Sequence, residues 1–321
     1  MSSTTSATSA TSASAALRSR RPRGARSGGL RAAPYLFIAP FVALFLVFLV
    51  LPIVIAVYKS FFAVQRSGLG FGGGEEAFVG LDNYVQAFGN AEFLRSFGRV
   101  LVFGAVQVPV MLLIALALAL LFDSAMVRGK KFFQLAVFLP YAVPSVVAAL
   151  IWGFLYQPKV SPIVELLRGM GVDPQFLAPG TVMWSLVNVV IWSVTGVNMI
   201  IIFSSLQTVP REMYEAARID GASEWRLAWQ IKVPMIMPAV LLTTLFSIIG
   251  TLQLFNEPMT LRSITSNISG SYTPNMAIYQ TTTLGGNLNL GSAMAVLLGI
   301  ATMILSIALS AASNRKKGGA R

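Results

Sequence analysis

Six stretches of the chain are apolar on nearly every side: Tyr35–Val57, Val100–Phe122, Phe133–Tyr156, Val182–Leu206, Met235–Phe255 and Ala293–Ala311. A bilayer core takes about 20 apolar residues of helix. Each stretch meets that length, and none has the one-sided stripe of a helix resting on a soluble core. The pattern predicts an all-α fold, a polytopic membrane protein with six transmembrane helices. Pro52, Pro109, Pro140 and Pro144 fall inside these spans. Membrane helices tolerate proline where neighbours satisfy the freed carbonyls, so kinked or broken spans are expected.

The intervening segments are polar. Residues 1–33 are Ser/Thr/Ala-rich and then Arg-rich, and read as a disordered tail. Asp82 is placed to cap a short helix through Phe88. A second short helix is expected near Ser161–Arg168. The third external loop, Asn256 to Ser292, is rich in Ser, Thr, Asn and Gly.

Composition agrees with a lipid setting. Of 321 residues, 55% are hydrophobic and 11% charged, with a mean hydropathy of +0.71. A soluble domain carries about 25% charged residues. There is no cysteine and no histidine. That removes disulfides, thiolate metal sites and the commonest general base. Enzyme chemistry is the poorest reading.

The net charge is +12. Six arginines of the N-terminal tail and Arg315, Lys316, Lys317 and Arg321 carry most of it, leaving +2 elsewhere. Basic flanks beside lipid-spanning segments explain this better than nucleic acid does. With a cytoplasmic N-terminus, 17 of the 24 Lys and Arg fall on the inner side. Both termini and the segment between spans four and five are therefore expected in the cytoplasm.

Some motifs are decoys. Gly68 to Gly73 matches G-x-G-x-x-G, but the sequence predicts neither the strand before it nor the helix start after it that a dinucleotide site needs. It reads as flexible linker. Ser19-Arg20-Arg21 resembles a twin-arginine signal, yet the following apolar run is too long for a cleaved segment. Asn267-Ile268-Ser269 fits a glycosylation acceptor that is common by chance. There is no G-x-x-x-x-G-K-[ST], so the chain has no phosphate-binding loop of that kind.

The most informative stretch is Pro210 to Pro238. Pro210 suits a first helical turn. Glu212 and Glu215 complement the helix N-terminus. Ala216 and Ala217 leave a smooth face for close approach. Gly221 can turn the chain through positive φ. Ser223 can cap a second short helix, on which Trp225 and Trp229 share a face. Pro234 and Pro238 then start the fifth span. The sum is a helix–turn–helix between two spans.

At this point the residues carry a resemblance. Glu215 to Trp225 (EAARIDGASEW), with Ile231, Pro234 and Pro238, resembles the EAA loop of ABC importer membrane subunits, in the branch of maltose-type carbohydrate permeases. LFIAPF in the first span, FVGLDNYVQAF before the second, FLPYAVPSVVAALIW in the third and LFNEPMTL after the fifth extend it over Tyr35 to Ala312. Ala228, Val233 and Arg99-Val100 depart from the residues common there, namely Phe, Leu and Asn-Thr. The resemblance implies a type I ABC importer transmembrane domain. Residues 34–99 would hold the first span and first external loop, 100–312 the core, 210–234 the coupling loop and 313–321 a cytoplasmic tail. It places Glu215, Ala216, Ala217, Asp220 and Gly221 against a cytoplasmic ATPase dimer. ATP and Mg would be bound by that partner, with no cofactor in this chain. A second, related permease subunit and an extracellular solute-binding protein are also implied.

Polar residues inside spans are costly and point to function. The resemblance sets the solute path where the fourth and fifth spans carry them. Trp192, Thr195, Asn198, Gln253, Asn256 and Glu257 are the candidates. Indole can stack on a sugar ring while amides and carboxylates bind hydroxyls. The expected solute is a di- or oligosaccharide. The alternatives are glycerol phosphate or another polar solute, or a self-sufficient secondary transporter.

Overall fold

The computed structural model describes residues 28–65, 74–124 and 127–318. Most of the expected disordered tail, and the glycine-rich linker, lie outside these. The described residues divide into two compact units, with the division between Ile53 and Val54. Helix α1 (Gly28–Phe45) passes through a π-helical turn, Leu46–Val50, into α2 (Leu51–Lys59). Helix thus begins at Gly28, inside the segment read as disordered.

After α2 comes a hairpin that the sequence reading did not anticipate. Strands β1 (Phe62–Gln65) and β2 (Glu75–Phe78) pair antiparallel, Phe62 opposite Phe78. Lys59 Nζ meets Glu76 Oε1 at 2.5 Å, and Asn83 Nδ2 donates to the carbonyls of Ser60 and Phe62. Asn83 sits in α3 (Asp82–Gly89). Asp82 is the first residue of that helix rather than its cap; Leu81 holds the cap position and no side chain caps it.

The second span is α4 (Ala91–Asp123), capped by Asn90 Oδ1, which accepts from the Phe93 amide. The third is not one straight helix. Helices α5 (Lys130–Ala142) and α6 (Ser145–Leu155) meet at a 97° bend. Val143, at the bend just before Pro144, is extended (φ −77°, ψ 126°), because the residue before a proline is pushed out of helical geometry. The short helix expected near Ser161–Arg168 is α7 (Pro162–Gly169), and Ser161 caps it. The fourth span is α8 (Val182–Leu206). Helices α9 (Arg211–Ile219), α10 (Glu224–Leu227) and α11 (Val233–Leu252) follow, then α12 (Asn256–Leu261), α13 (Pro274–Tyr279) and α14 (Leu288–Gly318). Among the described residues, five helical stretches are long and apolar enough to cross a membrane, or six with the bent pair. The fold is all-α and polytopic.

The second unit holds two main apolar clusters. In one, Met111, Ala115 and Ala119 of α4 face Met199, Ile202 and Leu206 of α8 and Val233 and Ile236 of α11. The α4 residues recur every four positions, so they form one face. Two of them are alanines, which let backbones approach where lipid provides no hydrophobic drive between helices. The other cluster gathers Phe103, Leu186, Val190, Leu254, Leu261 and Met276.

The tightest crossing is at Gly196. A Cβ there would lie 2.2 Å from the Val137 carbonyl oxygen and 2.7 Å from the Phe138 Cα. Both are backbone atoms, so α8 and α5 touch main chain to main chain. Gly196→Ala is expected to cost about 1–3 kcal/mol through overpacking. Thermal unfolding in detergent should register this, with Gly98→Ala, which meets nothing within 4 Å, as the neutral comparison. Equal melting temperatures for the two variants would refute the close crossing.

Candidate functional site

Between the two clusters lies a cavity of about 550 Å³. Gln107 lines it on α4, between Phe103 of one cluster and Met111 of the other. Val190, Val194 and Asn198 line it from α8, and Phe246 and Gly250 from α11. The break between α11 and α12 supplies Gln253, Leu254 and Phe255, and α12 begins with Asn256 and Glu257. Tyr141, from the end of α5, completes the wall with its ring.

Four of the six solute-path candidates are thus brought together: Asn198, Gln253, Asn256 and Glu257. Trp192 and Thr195 are not among the lining residues. Trp192 packs edge-on against Trp152, ring centres 5.9 Å apart. Thr195 is buried, and its hydroxyl donates to the Ile191 carbonyl at 2.6 Å. The difference follows from helical phase. Asn198 lies one turn from Thr195 but on a face that meets the cavity. The aromatic surface that Trp192 was expected to provide comes from Tyr141, Phe246 and Phe255 instead.

Gln107 was missed, although its signal was present. It is the one polar side chain in Val100–Phe122. Its Oε1 accepts from Thr251 Oγ1 at 2.8 Å, joining α4 to α11 at the cavity wall. Such an intramembrane bond contributes about 0.6 kcal/mol on average. The other interior hydroxyls and amides mostly return to their own helix. Ser193, Thr195 and Asn198 donate to the carbonyls of Val189, Ile191 and Val194, each four residues back. Asn267, of the glycosylation tripeptide, donates Nδ2 to the Leu177 carbonyl and ties two loops together.

The segment after α8 is a second constellation. Helix α9 ends in a two-bond turn: the Ala222 amide donates to the Ala217 carbonyl at 2.9 Å and the Gly221 amide to Arg218 at 3.0 Å. Gly221 takes φ +80°, which this closure requires. Ser223 Oγ accepts from the Arg226 amide and starts α10. Arg218 Nε donates to Glu224 across the turn at 2.9 Å, which holds its guanidinium pKa above the usual range. The second arm was expected as a short helix capped by Ser223 and continuous with the fifth span, and α10 does run through a π-helical turn, Ala228–Lys232, straight into α11. Pro234 follows just after that turn, and a local π adjustment is one way a membrane helix accommodates the missing N–H. Glu215, Ala216, Asp220 and Gly221 are exposed, while Ala217 is buried. Ile219 (87% exposed) and Trp225 (74%) stand apolar in the open, and Trp225 and Trp229 pack 5.6 Å apart.

Under this turn sits a buried charge pair. Lys232 Nζ donates to Asp123 Oδ2 at 2.5 Å, the side chains 7% and 9% exposed. Gln207, just after α8, donates Nε2 to Asp123 Oδ1 at 3.0 Å. The Lys232 ammonium lies 4.9 Å from the ring centre of Tyr214 on α9. Burial, with the Asp123 charge beside it, pushes the Tyr214 phenol pKa up. Removing one partner of a buried pair typically costs about 3–5 kcal/mol. Among the described residues, no group of three or more His, Cys, Asp or Glu could hold a metal ion.

Residues 111–316 match the family described as Binding-protein-dependent transport system inner membrane component. The chain is 30% identical over 307 residues to the arabinooligosaccharides transport system permease protein AraP of Bacillus subtilis (strain 168), covering 92% of this chain and 96% of AraP. It is 34% identical over 209 residues to the sn-glycerol-3-phosphate transport system permease protein UgpA of Salmonella typhimurium (strain LT2), covering 65% and 69% of the two. Two crystal structures of a bacterial alginate ABC transporter, one with an alginate pentasaccharide-bound periplasmic protein, superpose with TM-scores of 0.76 and 0.75. At 21% identity, each covers 89% of this chain and 96% of the matched chain.

The turn at Gly221 yields a local test. A side chain at positive φ costs about 1–2 kcal/mol, so Gly221→Ala should speed hydrogen exchange of the Gly221 and Ala222 amides about tenfold. Unchanged exchange would mean that the turn does not depend on this conformation.

Proposed function

This chain belongs to the binding-protein-dependent transport system inner membrane components, the membrane permease subunits of ABC importers, and we propose that it passes a di- or oligosaccharide into the cell. The observation that carries the reading is the cavity between α4, α8 and the α11–α12 break. It combines carboxamides of Gln107, Asn198, Gln253 and Asn256 with the rings of Tyr141, Phe246 and Phe255. Amides satisfy hydroxyls in both directions, and rings cover the apolar faces of a sugar. AraP, similar over nearly the whole chain, carries arabinooligosaccharides in its name.

A phosphate ester is the second reading, because UgpA is named for sn-glycerol 3-phosphate. The cavity argues against it. Among the described residues no Lys or Arg lines it, and Glu257 does. A dianion would meet a carboxylate with no cation to offset it.

ATP is hydrolysed by partner subunits, which bind the nucleotide and Mg. The 210–234 loop docks on the ATPase dimer through Glu215, Ala216, Ala217, Asp220 and Gly221, with both termini on the same cytoplasmic side. The single loop calls for a second permease chain, related but different, to complete the pore. An extracellular binding protein delivers the sugar. Reversing a pore from about 1:99 to 99:1 takes about 5.5 kcal/mol of differential binding, within reach of nucleotide bound between two ATPase subunits.

Two outcomes follow for the complex in proteoliposomes. Glu215→Lys should abolish copurification of the ATPase, or lower sugar uptake at least tenfold; intact assembly with intact uptake would end the docking role. Glu257→Ala and Asn256→Ala should each reduce solute-stimulated ATP hydrolysis about fivefold. Insensitivity to both would remove these residues from the sugar path.

A further inference from the structure

We infer that Asp123 is the pin of the coupling unit, one carboxylate that closes the base of the 207–232 segment and carries its movement into α4. The inference rests on the reading of that segment as the ATPase-facing loop. It goes further in naming the residues that pass the movement on. None of them was singled out by the sequence as a site, and none touches solute or nucleotide; they are positioning residues.

Three elements converge on the carboxylate. Gln207 precedes the loop and donates to Oδ1; Lys232 ends it and donates to Oδ2. The two ends of the loop, 25 positions apart in sequence, are therefore bonded to one group. Asp123 itself is the last residue of α4, which lines the cavity through Gln107. The fourth participant is Tyr214, whose ring faces the Lys232 ammonium from α9. Among the described residues its hydroxyl is buried without a partner, and the ring packs beside the apolar cluster and faces the cation. Lys232 closes the π-helical turn, a wider turn that often marks a functional site.

The arrangement explains how a small exposed loop can move membrane helices. Helix α9 buries little of itself: Ala217 is its one buried residue and Tyr214 is partly buried. Apolar contacts between spans are non-directional and allow sliding. Charge-assisted hydrogen bonds fix distance and angle together. A displacement of α9 thus reaches Lys232 through Tyr214, and Asp123 through Lys232. It then reaches the cavity wall along α4 and, through the continuous helix, along α11.

The test separates a directional pin from mere packing. Asp123→Leu combined with Lys232→Met replaces the pair by apolar residues, a change that buried ion pairs often tolerate without loss of stability. The full complex, with its ATPase and binding protein, is reconstituted in proteoliposomes. Uptake of an arabinooligosaccharide mixture and ATP hydrolysis are measured together. The expected result is ATP hydrolysis within about twofold of the unaltered complex and uptake per ATP lowered at least tenfold. Lys232→Arg keeps the cation and should retain at least half the unaltered ratio. Gln207→Leu alters an exposed side chain, so the fold is not in question; it should lower the ratio about threefold. If the apolar pair does not assemble, Gln207→Leu decides. An unchanged ratio in the apolar pair or in Gln207→Leu overturns the inference, as does an equal loss in Lys232→Arg. Uptake by the unaltered complex that needs no nucleotide would overturn the functional reading, and the inference with it.

Discussion

Lipid provides no hydrogen-bond partner, so the backbone polar groups inside the bilayer must find theirs in the protein. That constraint shapes the whole chain. It makes the spans helical, since a helix satisfies its own backbone. It also sends most interior hydroxyls back to carbonyls four residues earlier, as with Ser193 and Thr195. The few polar groups that reach across helices then acquire disproportionate influence. Gln107 with Thr251, and Asp123 with Lys232 and Gln207, join α4 to its neighbours at two depths.

The cavity follows from where regular helix stops. Continuous spans would pack the space between the clusters shut. Instead α11 ends at Leu252, and the chain takes three irregular residues before α12. Irregular backbone at this depth is tolerated where it lines a cavity. The bend between α5 and α6 works in the same way and leaves Tyr141 near the opening. The interruptions that weaken the spans as spans are what create a polar wall between apolar walls.

The loop after α8 depends on opposite properties in its two arms. Helix α9 is short, amphipathic and exposed, and closes on a glycine with positive φ. The other arm is the beginning of the fifth span itself, reached without interruption through a π-helical turn. One arm can therefore be grasped from outside while the other is already part of the membrane wall. A flexible connection on the second arm would lose the movement before it reached the bilayer.

Hydropathy alone determined the helical class, the number of spans and their approximate limits, because lipid imposes a length and an apolar surface that are local properties. Local chemistry likewise determined the Gly221 turn and the Ser223 cap, since each depends on residues within one helical turn. What the sequence could not resolve was phase and partnership. Trp192 and Thr195 share a span with Asn198, yet only Asn198 lines the cavity, because 100° per residue decides which face meets it. Nor could a list of basic residues distinguish Lys232 from Arg211 or Arg226, all counted as one inner-side charge. Tertiary structure alone buried Lys232 against Asp123, 109 positions away, because that meeting depends on how three spans pack and not on anything either residue carries locally.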